Sequence, residues 1–277
     1  MKTSAIKYCV IAAAAVVLFG CSKLKDEKAP TQPVVSVHGE GFADPASTNF
    51  HGVYIKEHRY DLQLCKQCHG AEYDGGTAGK SCLTCHTKAG GPENCTTCHG
   101  SVNAAPPRDL SGNTSPTFRG VGAHQKHLLG GVFGIKISCS QCHSVPATVS
   151  AAGHIDTTLH AEVHLDTTSV LFGKTALYDP ASNSCANTYC HGNFANGNAK
   201  TMTWTDTSET AAACGSCHGD VTKPTLAEKA LPKTVTAGGT HPDVDLSQHT
   251  CSYCHGKVIN SSMEFVDLSK HINGKVD

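Results

Sequence analysis

Six short segments of the chain repeat the pattern Cys-x-x-Cys-His and contain most of its 16 cysteines. The six segments are Cys65–His69, Cys82–His86, Cys95–His99, Cys139–His143, Cys214–His218 and Cys251–His255. A seventh, Cys185–His191, has four residues between its cysteines. Two thiols followed by an imidazole are typical of covalent haem attachment, in which the thiols bond to the porphyrin and the imidazole binds its iron. The pattern therefore predicts seven covalently bound haem c groups.

Each motif supplies two predicted attachment residues and one predicted proximal ligand. The attachment residues are Cys65, Cys68, Cys82, Cys85, Cys95, Cys98, Cys139, Cys142, Cys185, Cys190, Cys214, Cys217, Cys251 and Cys254. The proximal ligands are His69, His86, His99, His143, His191, His218 and His255. Zinc ribbons and Cys-x-x-Cys redox pairs are the alternatives. A zinc ribbon needs two cysteine pairs per metal, and neither alternative requires a histidine directly after the second cysteine.

A single helical turn would position these side chains, because residues i, i+3 and i+4 of a helix project from one face. The two extra residues of Cys185–His191 are expected to bulge out of such a turn. A glycine follows the proximal histidine in five motifs, at Gly70, Gly100, Gly192, Gly219 and Gly256. This pattern predicts a left-handed exit from the turn after the histidine.

The second axial ligand of each iron is expected to be another histidine. Eleven of the 18 histidines remain after the proximal seven, whereas only Met202 and Met263 lie beyond the leader. The distal candidates are His51, His58, His124, His127, His154, His241 and His271. His160 and His164 are alternatives, and His249 would have to bind a haem other than that of its own motif. Two histidines per iron leave no position for a substrate, which favours electron transfer over catalysis at iron.

The composition predicts that the haems themselves form the core. Only 39% of residues are hydrophobic and 6% aromatic, and the chain has 27 glycines and 12 prolines. We therefore expect a haem-cored multihaem cytochrome c fold with little regular secondary structure, in which short helices and long loops surround stacked haems. Short strand pieces are possible at 132–137 and 169–172. The net charge of −1 gives no sign of a nucleic-acid partner.

Residues 1–21 have the features of a lipoprotein signal peptide. A positive start and a short apolar run lead to Leu18-Phe19-Gly20-Cys21, which resembles a lipobox. The run is too short to span a bilayer comfortably, so we expect cleavage, export and a lipid on Cys21. An ordinary signal peptide is the alternative. The residue after Cys21 is not Asp, which is compatible with sorting to the outer membrane.

The rest of the chain divides by composition and by motif spacing. Residues 22–37 are charged and carry prolines, which is typical of a tether. Residues 38–100 form a predicted N-terminal three-haem region, and residues 101–123, rich in small residues and proline, form a predicted linker. Residues 124–277 form a predicted C-terminal four-haem region.

Several segments outside the motifs resemble one bacterial family. They are Ala-Glu-Tyr-Asp-Gly-Gly at 71–76, Gly-Ala-His-x-x-His at 122–127, Cys-His-Ser-Val-Pro at 142–146, Tyr-Cys-His-Gly at 189–192 and His-Ile-Asn-Gly at 271–274. With the two motif spacings, they resemble the multihaem c-type cytochromes of metal-respiring bacteria such as the Geobacter group, from about residue 50 onward. His160 and His164 depart from this resemblance.

The resemblance implies an exported electron carrier, attached to the outer membrane or released outside it, that passes respiratory electrons toward acceptors such as Fe(III) oxides. It also implies other periplasmic or outer-membrane cytochromes as partners, and a porin or further copies of the chain as possible ones. Two alternatives stay open. One is a reductase with one open haem, although no Cys-x-x-Cys-Lys motif is present. The other is a filament subunit whose haems continue between copies.

Overall fold

The computed structural model describes residues 37–100, 103, 107–131, 133, 135–158 and 160–275. The predicted signal peptide, Cys21 and nearly all of the predicted tether lie outside the described residues, as does part of the predicted linker. The chain forms two compact units, residues 1–57 and residues 58–277. The division into a three-haem and a four-haem region stays a prediction.

The described part of the first unit is organised around Phe42. The imidazole of His38 stacks on its ring at 4.0 Å between centroids, and the Tyr54 ring meets it edge-on at 5.7 Å. Helix α1 (His51–Glu57) begins where the His51 backbone N–H donates to the Phe42 carbonyl at 2.8 Å. Aromatic contacts and this backbone bond therefore fix the start of the helix.

The α-helices in the described part of the second unit are short. They are α2 (Gln63–His69), α3 (Cys95–Cys98), α4 (His124–Leu129), α5 (Leu226–Ala230) and α6 (Ser252–His255). Single 3-10 turns lie at Gly76–Ala78, Cys82–Thr84, Gly91–Glu93, Cys139–Gln141, Tyr189–His191, Glu209–Ala212 and Leu268–Lys270. Within the described ranges, no helix has the length and apolar character needed to cross a membrane.

Polar side chains begin several of these helices. The Asp61 carboxylate accepts the Gln63 N–H at the start of α2, and the Asn94 amide oxygen accepts the Thr96 N–H at the start of α3. A reciprocal capping box between Thr225 and Glu228 starts α5. These side chains satisfy backbone donors that a short helix leaves free at its N-terminus.

One small antiparallel sheet is present in the described residues. Strands β1 (Leu177–Asp179), β2 (Ser184–Ala186) and β3 (Met202–Thr203) lie in that order, with Cys185 paired to Tyr178 on one side and to Met202 on the other.

The strand expected at 169–172 is wrong, since this segment is a turn. The Ser169 carbonyl accepts from the Phe172 and Gly173 N–H groups, and the Asp166 carboxylate accepts the Thr168 N–H just before it. Positions 132 and 134 of the other expected strand lie outside the described residues, and residues 135–137 are not in a strand.

The polypeptide itself buries few apolar side chains. Those buried within the described ranges are Leu62, Tyr73, Val121, Ala123, Leu171 and Phe172. Large apolar side chains such as Leu64 and Leu83, both in or beside motifs, are exposed. The expected low content of regular structure is confirmed. A core this small buries little apolar surface for a chain of this length.

Candidate haem sites

Most motifs form the predicted single helical turn. Cys65–His69 lies in α2, and in four further motifs the histidine N–H donates to the carbonyl of the first cysteine at 2.9 Å. These four are Cys82–His86, Cys95–His99, Cys139–His143 and Cys251–His255. The prediction is wrong for Cys214–His218, which follows turns and bends. Its Gly215 has a φ of 86°, a value that a helical turn does not allow.

The longer motif, Cys185–His191, does not have the expected bulged turn. Cys185 lies on β2, held in extended backbone by strands on both sides, and the 3-10 turn is limited to Tyr189–His191. Asn187, with a φ of 56°, changes the chain direction between the two cysteines. The two extra residues therefore connect a strand to a turn.

The glycines after the proximal histidines behave as predicted in four of five motifs. The φ angles are 86° at Gly70, 78° at Gly100, 93° at Gly192 and 81° at Gly219. Gly256 is the exception, with a φ of −63°. There the helical path continues past α6, because the His255 carbonyl accepts from the Val258 and Ile259 N–H groups.

Five histidines that end motifs each face one of the distal candidates. The pairs, with the distances between ring centroids, are His99 and His154 at 6.0 Å, His143 and His124 at 6.3 Å, His191 and His127 at 6.3 Å, His218 and His271 at 6.5 Å, and His255 and His241 at 6.3 Å. A metal lies about 2.0 Å from an imidazole nitrogen, and that nitrogen about 1 Å from its ring centre, so one ion between two rings separates the centroids by roughly 6 Å. The observed separations fit one iron per pair.

Backbone carbonyls orient many of these imidazoles through Nδ1. Nδ1 lies 2.7 to 3.0 Å from a carbonyl oxygen in His51, His69, His124, His127, His143, His154, His218, His241 and His271. An Nδ1–H that donates to a carbonyl fixes the tautomer and leaves Nε2 to bind a metal. All nine were predicted as ligands, and a carbonyl beside Nδ1 is compatible with iron binding through Nε2.

The other candidate ligands are placed as follows. His51 lies in the first unit with Nδ1 against the Phe42 carbonyl, and His58 is exposed. Both stay predicted distal ligands. Among the alternatives, the His164 backbone N–H donates to the Cys142 carbonyl, and the His249 ring meets Tyr253 edge-on at 4.7 Å. Neither of these two, nor the exposed His160, belongs to the five pairs.

Burial favours the neutral form of five of the paired histidines. It lowers the pKa of His124 and of His191 to about 4, and it also lowers the pKa of His99, His218 and His271. A neutral imidazole is the form that binds a metal, because its free nitrogen carries a lone pair.

The cysteines have surroundings that differ from those of a zinc centre. The fourteen motif cysteines are free of disulfides. Burial raises the pKa of the Cys142 thiol to about 11 and that of the Cys190 thiol to about 12, so both are protonated thiols at neutral pH. Among the described residues, no three or more Cys, His, Asp or Glu side chains converge as metal ligands. Pairs of histidines suit haem instead, because the porphyrin supplies the other four donors.

A cavity of about 220 Å³ adjoins the segment that carries His154. Residues 59–63 line one side, and Val149, Ser150, Ala151 and Ile155 line the other. The Val149 carbonyl that faces His154 Nδ1 belongs to this lining. Burial, followed by the charge of Cys98, raises the pKa of Tyr60, which lines the cavity. The cavity therefore adjoins the backbone that orients one ligand of this candidate site.

Comparison with known proteins gives one match. Residues 184–218 match the family model described as the Geobacter CxxxxCH...CXXCH motif. We find no matching curated protein and no matching solved structure. The matched segment begins with β2 and contains Cys185–His191 and Cys214–His218, so it includes one motif of each spacing.

Proposed function

We propose that this chain, a multihaem c-type cytochrome, carries seven covalently bound haems and conducts electrons through them to other redox proteins. The five histidine pairs carry the proposal. An iron held by two imidazoles has no position for a substrate, so such a site suits electron transfer. Each bound haem supplies a one-electron iron couple. The protein holds the cofactor through two cysteines and fixes the imidazole planes through backbone carbonyls.

The pairs also support a continuous conduit. His99 belongs to the predicted three-haem region, whereas His154 belongs to the predicted four-haem region. An iron held by both would link the two regions across the predicted linker. His124 and His127 lie on one helix and face different motifs, so α4 would join two further sites. Stacked haems around these shared elements would provide the core that the polypeptide lacks.

We place this conduit outside the cytoplasm, anchored to the outer membrane through a lipid on Cys21. Support comes from the lipobox-like segment at 18–21 and from the resemblance to cytochromes of metal-respiring bacteria. The proposed role is to pass respiratory electrons toward terminal acceptors such as Fe(III) oxides. The proposed partners are periplasmic or outer-membrane cytochromes, with a porin or further copies of the chain as others.

The reaction of the reduced protein with carbon monoxide tests this function. Haem per chain is measured by mass and by absorbance, and the visible spectrum is then followed as CO is added. We expect seven haems per chain and no CO adduct, because two imidazoles occupy each iron. About one CO bound per chain would instead indicate an open iron and a reductase.

A further inference from the structure

Trp204 lies against two of the distal candidates at once. It is the only tryptophan of the chain and directly follows β3. Its ring meets the His124 imidazole edge-on, at 4.7 Å and 86°, and stacks on the His127 imidazole, at 5.6 Å and 22°. One indole is therefore wedged against both histidines of α4.

Three hydrogen bonds hold Trp204 in place, one through its ring and two through its backbone. The Trp204 Nε1–H donates to the Arg119 carbonyl at 2.9 Å, and the Trp204 backbone N–H donates to the Asn183 carbonyl at 2.8 Å. The Ala123 N–H donates to the Trp204 carbonyl at 3.1 Å, which joins the residue to the start of α4. Trp204 is thus held by one hydrogen bond of its ring and by two of its backbone.

A glycine at position 122 leaves room for the Trp204 ring. Gly122 is buried, with a φ of 42°, and a Cβ at this position would overlap the indole nitrogen. Its neighbours Val121 and Ala123 are buried, and their carbonyls face Nδ1 of His124 and His127 at 2.9 Å. The segment Val121 to Ala123 therefore contacts the indole through Gly122 and hydrogen-bonds both imidazoles through its carbonyls.

We infer that Trp204 is a shared positioning residue that sets the ring planes of two distal ligands. A single bond at Nδ1 fixes one edge of an imidazole but still allows the ring to rotate about it. The indole limits the rotation of His124 through an edge-on contact and the rotation of His127 through a stacked contact. The inference rests on the proposed function, because it requires an iron between each of these histidines and its partner.

The two histidines are held at different angles to their partners. The planes of His124 and His143 are 26° apart, whereas those of His127 and His191 are 68° apart. In low-spin Fe(III) haem, near-parallel imidazoles give a rhombic EPR signal and near-perpendicular imidazoles give a highly anisotropic one. A second near-perpendicular pair, His218 and His271 at 72°, lies away from Trp204 and serves as an internal reference.

The test compares Trp204→Leu and Trp204→Phe in the haem-loaded protein. Leucine removes the aromatic faces, so we expect the highly anisotropic EPR signal to lose the intensity of one haem and the potentials of two haems to shift. Phenylalanine keeps a ring against both imidazoles and should restore most of the signal. Phe118→Leu is the matched control, since Phe118 is a 46% exposed aromatic residue outside the motifs, and among the described residues its ring contacts none of the paired histidines.

Gly122→Ala provides an independent variant, because it displaces the indole while the tryptophan stays in the chain. We expect it to reproduce the EPR change of Trp204→Leu. The inference is overturned if Trp204→Leu or Gly122→Ala binds all its haem and matches the wild-type EPR spectrum and potentials. Failure of the proposed function would be visible separately, as high-spin iron or a CO adduct in the wild-type protein.

Discussion

Backbone carbonyls orient most of the histidines that face one another in this protein. Each of the five pairs includes at least one imidazole whose Nδ1 lies against a carbonyl. Such a bond fixes the tautomer without a charged partner, so the ligand stays neutral in a buried site. The orientation of each ligand therefore depends on the local chain path and on packing.

His154 provides a direct test of one pair. Its ring lies 6.0 Å from that of His99, so His154→Ala should remove one of two ligands from a single iron. We expect about one CO bound per chain after reduction and one high-spin haem in the oxidised spectrum. His160→Ala is the matched control, because His160 is an exposed histidine of the same loop. A CO adduct in the control, with none in His154→Ala, would mean that the pair is misassigned.

The sequence indicates candidate ligands, but it does not indicate which of them face one another. The Cys-x-x-Cys-His spacing marks its own residues, and elimination selects the distal candidates. His99 and His154, however, are 55 residues apart along irregular chain, so no local period links them. Any residue type can supply the backbone carbonyl that accepts from Nδ1, as Val149 and Ala230 do. These contacts therefore leave no signal in the sequence. The contact of Trp204 with two histidines is equally invisible in sequence.

At the scale of elements, an ion pair and a hydrogen bond join α2 to the turn before α3. The Glu93 carboxylate accepts from Lys66 Nζ at 2.8 Å and from the Tyr73 hydroxyl at 2.7 Å. Lys66 also lies 5.0 Å from the centre of the buried Tyr73 ring. This cluster connects Cys65–His69 to the segment that leads into Cys95–His99.

The cluster predicts a dependence of stability on acid. The hydrogen bond from Lys66, followed by that from Tyr73, lowers the pKa of Glu93 below its ordinary value of 4.5. The unfolded state therefore binds the proton first as the pH falls below 4.5, and stability is lost as the pH passes through the folded-state pKa. Glu93→Gln should lower the free energy of unfolding at neutral pH by about 1 kcal/mol. It should also reduce the loss of stability that the wild-type protein shows below pH 4.5. Denaturant unfolding at a series of pH values measures both effects.

Glu209→Gln is the matched control for this prediction. Glu209 lies 2.7 Å from Lys126 Nζ, but its side chain is 90% exposed and the Lys126 side chain is 52% exposed. Solvent and salt screen such a pair, so its loss should leave the unfolding midpoint unchanged. Equal effects of the two substitutions would show that the Glu93 cluster adds nothing beyond an ordinary surface charge.

The sheet shows where a sequence prediction failed although a signal was present. Leu177 and Tyr178, followed by the turn-forming run Asp179 to Asn183, are typical of a strand that enters a hairpin, and Cys185 lies in the returning strand. The four-residue spacing was instead interpreted as a bulged helical turn. Conversely, the apolar residues at 169–172 suggested a strand, but Asp166 and Ser169 favour turns through their own side-chain oxygens.

For the whole molecule, the small polypeptide core predicts a dependence of folding on haem. Without haem, the chain should expand from the radius of gyration of about 19 Å expected for a compact chain of this length toward the roughly 58 Å of an unfolded one. Small-angle scattering of the chain produced without haem attachment, beside the haem-loaded protein, measures this. A compact haem-free chain that unfolds cooperatively would contradict the prediction.

If two histidines hold every iron of this protein, near-infrared magnetic circular dichroism of the oxidised protein will show it. The position of the charge-transfer band identifies the axial pair, and its intensity gives the number of haems of each type. We expect a single bis-histidine band whose intensity corresponds to seven haems per chain. A band from histidine and methionine ligation, or a high-spin feature equal to one haem, would contradict it.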